Sequence, residues 1–300
     1  MTKTENNILL FSVTLCWSAS YIFIKSLPPD FSPYAYLTMT AGIAAVILSI
    51  VFWRQLKQIK SSTVWRSFIL SIFLTIDMLL EKKGIELIPA SNASFLSALT
   101  IMIVPLIMLL FSVKPSRNNI IGACIIVFGL GFSTRFSPSG FLSLGTFYML
   151  SASFFYSLYI IAADRFTKEE NPLLICVVQM IFAALLGYII WSIEEPRTFF
   201  SVNYTHELLS SVFILAFFMK AYAYIVLMFS QRYADPIRVT IIASTEPVIA
   251  LLLAVTVPAV YSGGERLTAF SLCGSLFIAV GAVIAGTNFL EKNKETANAY

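Results

Sequence analysis

Asp77 and Glu81 stand four residues apart inside a largely apolar stretch, so on a helix they share one face. A carboxylate at the centre of a lipid-exposed helix costs about 2.5–3.5 kcal/mol. Such a pair therefore calls for a polar cavity, where it can carry a proton or cradle an ammonium group. Lys220, in Phe217-Phe218-Met219-Lys220-Ala221, poses the reciprocal problem. A lysine buried there pairs with an acid, sheds its proton or holds an anionic group. Its structural alternative is a salt bridge to Asp77 or Glu246. Glu246 precedes Pro247, and a proline inside a helix removes a backbone donor and bares carbonyls that lipid cannot satisfy. An acid beside such a kink lines a pathway or serves as a buried structural carboxylate. Asp77, Glu81 and Glu246 are thus the proton-carrying candidates, and Lys220 is the anion anchor.

Aromatic residues also recur at helical spacing. Trp17 and Tyr21 are four apart, and Tyr156 and Tyr159 are three apart. Such rings pack helices, or they hold an organic cation or a planar ring on their faces. Tyr222 and Tyr224 are read as lying on faces other than that of Lys220, with at most one sharing its surroundings. A run of small polar residues includes Asn92, Ser97 and Thr100, and adds hydrogen-bonding capacity opposite Glu246. Gln179 is read as a helix-packing hydrogen bond. The sequence has no GxxxxGK[ST] loop, HExxH or GxSxG motif and no metal-ligand cluster. Cys16, Cys124, Cys176 and Cys273 lie in apolar runs without CxxC spacing and read as inert thiols. No cofactor, no metal and no enzymatic activity are expected.

The elements that must position these groups follow from composition. The chain is 58% hydrophobic and 12% charged with a mean hydropathy of +0.83, against about 25% charged residues in soluble domains. That places it among polytopic membrane proteins, in contact with a lipid bilayer. Spans of about twenty apolar residues recur and no barrel-type alternation appears, so the spans are helical. The net charge of +4 is too small and scattered for nucleic acid. Ten spans are expected, at about 8–25, 34–53, 67–87, 91–112, 119–134, 143–163, 173–192, 208–229, 238–259 and 268–288. The first reads as an uncleaved helix rather than a signal peptide. The third is the delicate one. Ending it at residue 80 gives roughly 21 Å from residue 67, short for a crossing, so the longer helix is favoured and brings Glu81 inside. In the shorter version Glu81, Lys82, Lys83 and Glu86 are interfacial charges. With the N-terminus inside, internal segments hold thirteen lysines and arginines against six outside, which predicts that both termini are cytoplasmic.

The ten spans divide into two fives. Gly122 and Gly129 in the fifth match Gly274 and Gly281 in the tenth, with the same seven-residue interval. Thr100-Ile101 falls opposite Glu246-Pro247. An odd number of spans per half inverts the second copy, and the paired glycines suit close helix packing. The expected fold is an all-α polytopic membrane protein of ten helices. Two inverted five-helix repeats, residues 1–135 and 143–288, surround a central cavity, with a cytoplasmic tail at 289–300.

The halves resemble EamA-type domains of the drug/metabolite transporter superfamily. Trp17-Ser18-Ala19-Ser20-Tyr21, Pro89-Ala90-Ser91-Asn92-Ala93-Ser94-Phe95-Leu96 with Val104-Pro105, and glycines 122 and 129 carry the likeness in the first half. Tyr233-Ala234-Asp235-Pro236, Glu246-Pro247, Gly264-Glu265-Arg266 and glycines 274 and 281 carry it in the second. The resemblance implies a ten-helix basket whose cavity is lined by spans 1, 3, 4, 6, 8 and 9, working by alternating access, often in amino-acid or metabolite export. Many relatives carry an arginine early in span two, where this chain reads Tyr36-Leu37-Thr38-Met39-Thr40. The expected function is secondary transport of a small charged or zwitterionic metabolite, an amino acid or amino-acid derivative. Trp17, Tyr21, Asp77, Glu81, Asn92, Ser97, Tyr156, Tyr159, Lys220 and Glu246 would contact it. The alternatives are an S-adenosylmethionine or nucleotide-sugar type exchanger, and a non-transport structural membrane protein. The partners expected are the substrate, possible proton coupling and the bilayer, in a plasma membrane of bacterial type, as monomer or homodimer.

Overall fold

The computed structural model describes residues 2–112, 115–133, 143–257 and 268–286. Two sequence readings lie outside the described residues: the motif Gly264-Glu265-Arg266 and the tail at 289–300. The described chain is helical throughout, without a strand. Its helices are α1 (Lys3–Lys25), α2 (Pro33–Val51), α3 (Ser61–Leu87), α4 (Ala90–Ser97), α5 (Thr100–Leu110), α6 (Arg117–Ser133), α7 (Leu144–Glu169) and α8 (Pro172–Glu194). They continue with α9 (His206–Ile214), a π-helical segment Leu215–Tyr222, α10 (Ala223–Gln231), α11 (Pro236–Ala243), α12 (Glu246–Thr256) and α13 (Ala269–Gly286). Among the described residues, eight stretches are long and apolar enough to cross a membrane; α6 and α13 are shorter apolar helices.

Local chemistry sets the starts. Thr2 and Glu5 form a capping box on α1. Ser32, Asn171 and Asp235 cap α2, α8 and α11, each followed by a proline at the first helical position. α3 runs unbroken to Leu87, so the longer third span is the one formed, and Asp77 and Glu81 both lie within it.

Two of the expected continuous spans are broken, and the reason is local. Span four stops at Ser97 and restarts at Thr100, while Pro105 sits inside α5 rather than at the break. Here the Ile101 amide turns to the Ala98 carbonyl, and the Ser97 carbonyl it deserts accepts the Thr100 hydroxyl at 2.7 Å. Span nine breaks at Ser244-Thr245, between α11 and α12. The Thr245 amide bonds Ile242, and the Ile241 carbonyl accepts the Ser244 hydroxyl at 2.6 Å instead. In each case a hydroxyl replaces a lost backbone donor, which is what a break in lipid requires. Span eight also departs from a plain helix. Its π segment turns Phe217 and Phe218 outward and Met219 and Lys220 inward, and π segments recur at functional sites.

In the bundle, α1 packs against α10 and α12, α3 against α7 and α8, α4 against α12, and α5 against α11. Two buried apolar clusters, one around Tyr21, Tyr36 and Phe95 and one around Leu70, Leu74 and Met78, share Trp17 at their edge. α6 and α13 run face to face through the matched glycines. A Cβ on Gly122 would stand 2.5 Å from the Gly281 carbonyl oxygen, and one on Gly129 2.8 Å from that of Gly274.

At one end of the bundle Glu170 staples α3 to the α7–α8 turn. Its carboxylate accepts the Ser62 hydroxyl at 2.6 Å and the Thr63 hydroxyl at 3.0 Å, and pairs with Arg66 at 3.2 Å. Arg66 also pairs with Glu169. The Ser62 hydrogen bond first, then Thr63 and the Arg66 charge, hold the Glu170 carboxyl below the usual carboxylate range. A depressed folded-state pKa stabilises above the unfolded value and is lost as pH falls through the folded one. Glu170→Gln is therefore expected to cost about 1 kcal/mol or less at neutral pH, as exposed ion pairs do. Melting curves should show that difference beginning to shrink below about pH 4, where an unperturbed glutamate titrates, and disappearing only once the pH has passed the lower folded-state value. A difference that persists unchanged in acid would assign the loss to packing instead.

Candidate functional site

Where the two broken helices meet α1, α3, α7 and the π segment, the bundle encloses its charged residues. α3 supplies Asp77 and Glu81 from one face, the π segment supplies Lys220, and the first turn of α12 supplies Glu246. Asp77 is 7% exposed, Lys220 4% and Glu246 5%. α1 adds Trp17, Ser20 and Tyr21; α4 adds Ser97; α7 adds Met149, Ser153 and Tyr156. The Ser18 hydroxyl donates to the Glu246 carbonyl at 3.2 Å, docking α1 against the break. The Tyr21 hydroxyl stands beside the Glu246 carboxyl and the Ser97 hydroxyl.

The four charged groups interact electrostatically, but none closes on another. Among the described residues Lys220 forms no ion pair, so the salt bridge to Asp77 or Glu246 weighed from sequence is not made. Its ammonium lies 5.7 Å from the Tyr36 ring centre and 5.6 Å from that of Tyr224, the range of a cation–π contact. Tyr224 is a residue that sequence reasoning placed wrongly. It follows Lys220 by four positions, a step that returns to the same helix face, and it lines the cavity. Tyr222 points elsewhere, its hydroxyl 2.9 Å from that of Ser12.

The aromatic residues form a wall. Trp17 meets Tyr156 edge-on at 5.7 Å and Tyr224 at 5.6 Å. The Trp17 indole N–H donates to the Met219 carbonyl at 3.4 Å, on the π segment. Tyr159 is not part of the lining. It is fully buried behind Tyr156, stacked on it at 5.8 Å, with its hydroxyl accepting from the Gln179 amide at 3.0 Å. The expected packing role of Gln179 is thus to hold Tyr159. Asn92 is also absent from the lining, because five residues separate it from Ser97 and a five-residue step on a helix lands on a different face. Lys82 is buried in a 2.6 Å pair with Glu86, and Lys83 donates to the Tyr34 hydroxyl at 3.2 Å. Of the cluster that closes α3, then, only Glu81 reaches the cavity.

The cavity holds about 40 Å³, room for a few waters and too little for a metabolite. Larger hollows open at the two ends of α1. One, of about 690 Å³, is lined by Lys3, Asn7, Asp235 and Arg238; the other, of about 490 Å³, by Ser26, His206 and Glu207. Each end of α1 is tied down. Lys25 donates to the carbonyls of Ile85, Glu86 and Ile88 at 2.9–3.2 Å. Arg238 donates to Asn7 and to the Lys3 carbonyl at the opposite end. Acidic and basic side chains thus share a cavity narrower than a metabolite.

A sequence profile of the EamA-like transporter family matches residues 6–135 and again 143–287. An uncharacterized transporter of Archaeoglobus fulgidus is 23% identical over 278 residues, 91% of this chain and 82% of its own length. A crystallised protein aligns with a TM-score of 0.72 at 17% identity, over 95% of this chain and 98% of its own. At that identity it shows the fold alone.

Proposed function

This chain belongs to the EamA-like transporter family, and from that premise we propose a secondary transporter that moves a small charged or zwitterionic metabolite, an amino acid or amino-acid derivative, by alternating access. One observation carries the reading. Asp77, Glu81 and Glu246 line one cavity with Lys220 inside a multi-pass membrane protein, and among the described residues no ion pair consumes them. The acids meet the amine of the cargo or a proton, and Lys220 meets its carboxylate.

The working architecture is ten crossings in two inverted repeats, residues 1–135 and 143–288. Breaks at corresponding places in spans four and nine, and the glycine faces of α6 and α13, support it. The two halves rock about the cavity, which must widen to admit cargo. Both termini face the cytoplasm of a bacterial-type plasma membrane. An S-adenosylmethionine-type exchanger is the second reading, favoured by the Trp17–Tyr156–Tyr224 wall, on which a flat ring can stack. A nucleotide sugar fits less well, because its diphosphate would face three carboxylates.

The test is counterflow in proteoliposomes with labelled amino acids, S-adenosylmethionine and a nucleotide sugar, with and without a pH gradient. Saturable exchange of an amine-bearing compound is expected. A folded protein that exchanges none of them loses the reading.

A further inference from the structure

We propose that the central site selects its cargo by net positive charge, with Lys220 acting as a built-in ammonium that shows how the cargo's amine is held. The inference rests on the transport reading and narrows its substrate class. The cavity lining sets three carboxyl groups against one amine. A cationic cargo supplies the counter-charge that lets those acids release their protons into the site, whereas an anion supplies none.

Part of the remaining polar lining is already spent. The Ser20 hydroxyl is spent on the Trp17 carbonyl at 2.7 Å, and that of Ser153 on the carbonyls of Met149 and Leu96 at 2.9 and 3.1 Å. The Trp17 N–H is engaged by Met219. The hydroxyls of Tyr21, Ser97, Tyr156 and Tyr224 are neutral groups that serve a cation as acceptors or an anion as donors. Among the described residues the lining has no arginine, asparagine or glutamine, so Lys220 is the cationic donor available to an anionic group. Acceptors, by contrast, converge from α3 and α12. One ring of the aromatic wall already holds an ammonium, since Lys220 lies over Tyr224 and over Tyr36, which is outside the lining. An anion entering here would meet uncompensated carboxylates in a site with little water to screen them, where like charges repel strongly. An amine entering would meet acids and ring faces. A second ammonium in place of a carboxylate on the cargo suits the site better still.

The experiment uses four probes of similar length and falling charge: 1,5-diaminopentane, lysine, norleucine and 2-aminoadipate. Binding is read from the melting temperature of the purified full chain in detergent, and exchange from proteoliposomes. The expected order follows charge, with the two cations binding at least tenfold more tightly than norleucine and 2-aminoadipate last. Lys220→Met should shift the preference further toward the dication, and Glu246→Gln or Asp77→Asn should shift it one charge toward norleucine. An anion that binds as well as a cation, or an order that none of these variants changes, overturns the inference. If an anionic or neutral metabolite is exchanged without any preference for cations, transport stands and charge selection falls. If no probe binds, and neither these compounds nor those of the counterflow panel exchange while the protein melts cooperatively, both fall together.

Discussion

Asp77→Asn is expected to lower substrate exchange in proteoliposomes about ten- to a hundredfold while the protein stays folded. The substitution keeps shape and hydrogen-bonding reach and removes only the charge. Asp77 lies on the unbroken part of α3, one turn before Glu81, and both acids face the cavity shared with Lys220 and Glu246. A hydrogen bond to a charged group is worth about 1.5–3 kcal/mol, and each 1.4 kcal/mol is about a factor of ten, which gives the stated range. The loss should fall on exchange and not on stability, because among the described residues Asp77 makes no ion pair. Unchanged exchange in a folded Asp77→Asn protein would remove the cavity from the transport path. A protein that no longer folds would mark Asp77 as structural, and Glu81→Gln on the same face would then decide whether the cavity is on the path.

The second large effect concerns the contact between α6 and α13. Gly122→Val or Gly281→Val should destabilise the protein by about 1–3 kcal/mol or more, the cost of overpacking a close contact. A Cβ on Gly281 would stand 2.7 Å from the Gly122 carbonyl oxygen, and one on Gly122 would also meet Ala285 at 2.6 Å. The atoms in the way include backbone, which yields only if the helices separate. Gly42, in the middle of α2, is the control. Its Cβ would meet nothing closer than Ala184 at 3.9 Å, so Gly42→Ala should be neutral or stabilise by about 0.5–1 kcal/mol through helix propensity. Thermal melts in detergent read all three. Equal melting temperatures for Gly122→Val and Gly42→Ala would mean that the α6–α13 contact is not tight.

Much of this was legible from residue order. Repeated apolar runs give the all-helical, many-span class because lipid leaves the backbone no other partner. The spacing of Asp77 and Glu81 gives a shared face, since helical geometry is local. The seven-residue glycine interval marks α6 and α13 as flat-faced before it is known that they face one another. Local rules also explain the partial failures. Asn92 drops out of the lining by a five-residue offset that could have been counted, and Tyr224 joins it by a four-residue offset that was overlooked.

The breaks are a subtler case. Pro105 is the visible breaker in span four, yet the ladder fails at Ala98-Leu99, where Thr100 rescues the Ser97 carbonyl. Pro105 takes the usual donor from the Ile101 carbonyl, whereas the break lies before it, in the stretch where α4 packs against α12 and α7.

By itself, then, the sequence set the first and third helix starts several residues late, but it determined the class of fold and the identity of the charged residues that lipid would not tolerate. These depend on neighbours a few residues away or on the medium. Only the tertiary structure decided that Glu81 faces the cavity while Lys82 is spent on Glu86, that Lys220 rests on Tyr36 and Tyr224 instead of an acid, and that Tyr159 supports Tyr156 from behind. Those choices depend on which helices meet and at what rotation. That is settled by packing between residues as far apart in sequence as Trp17 and Met219, or Ser18 and Glu246.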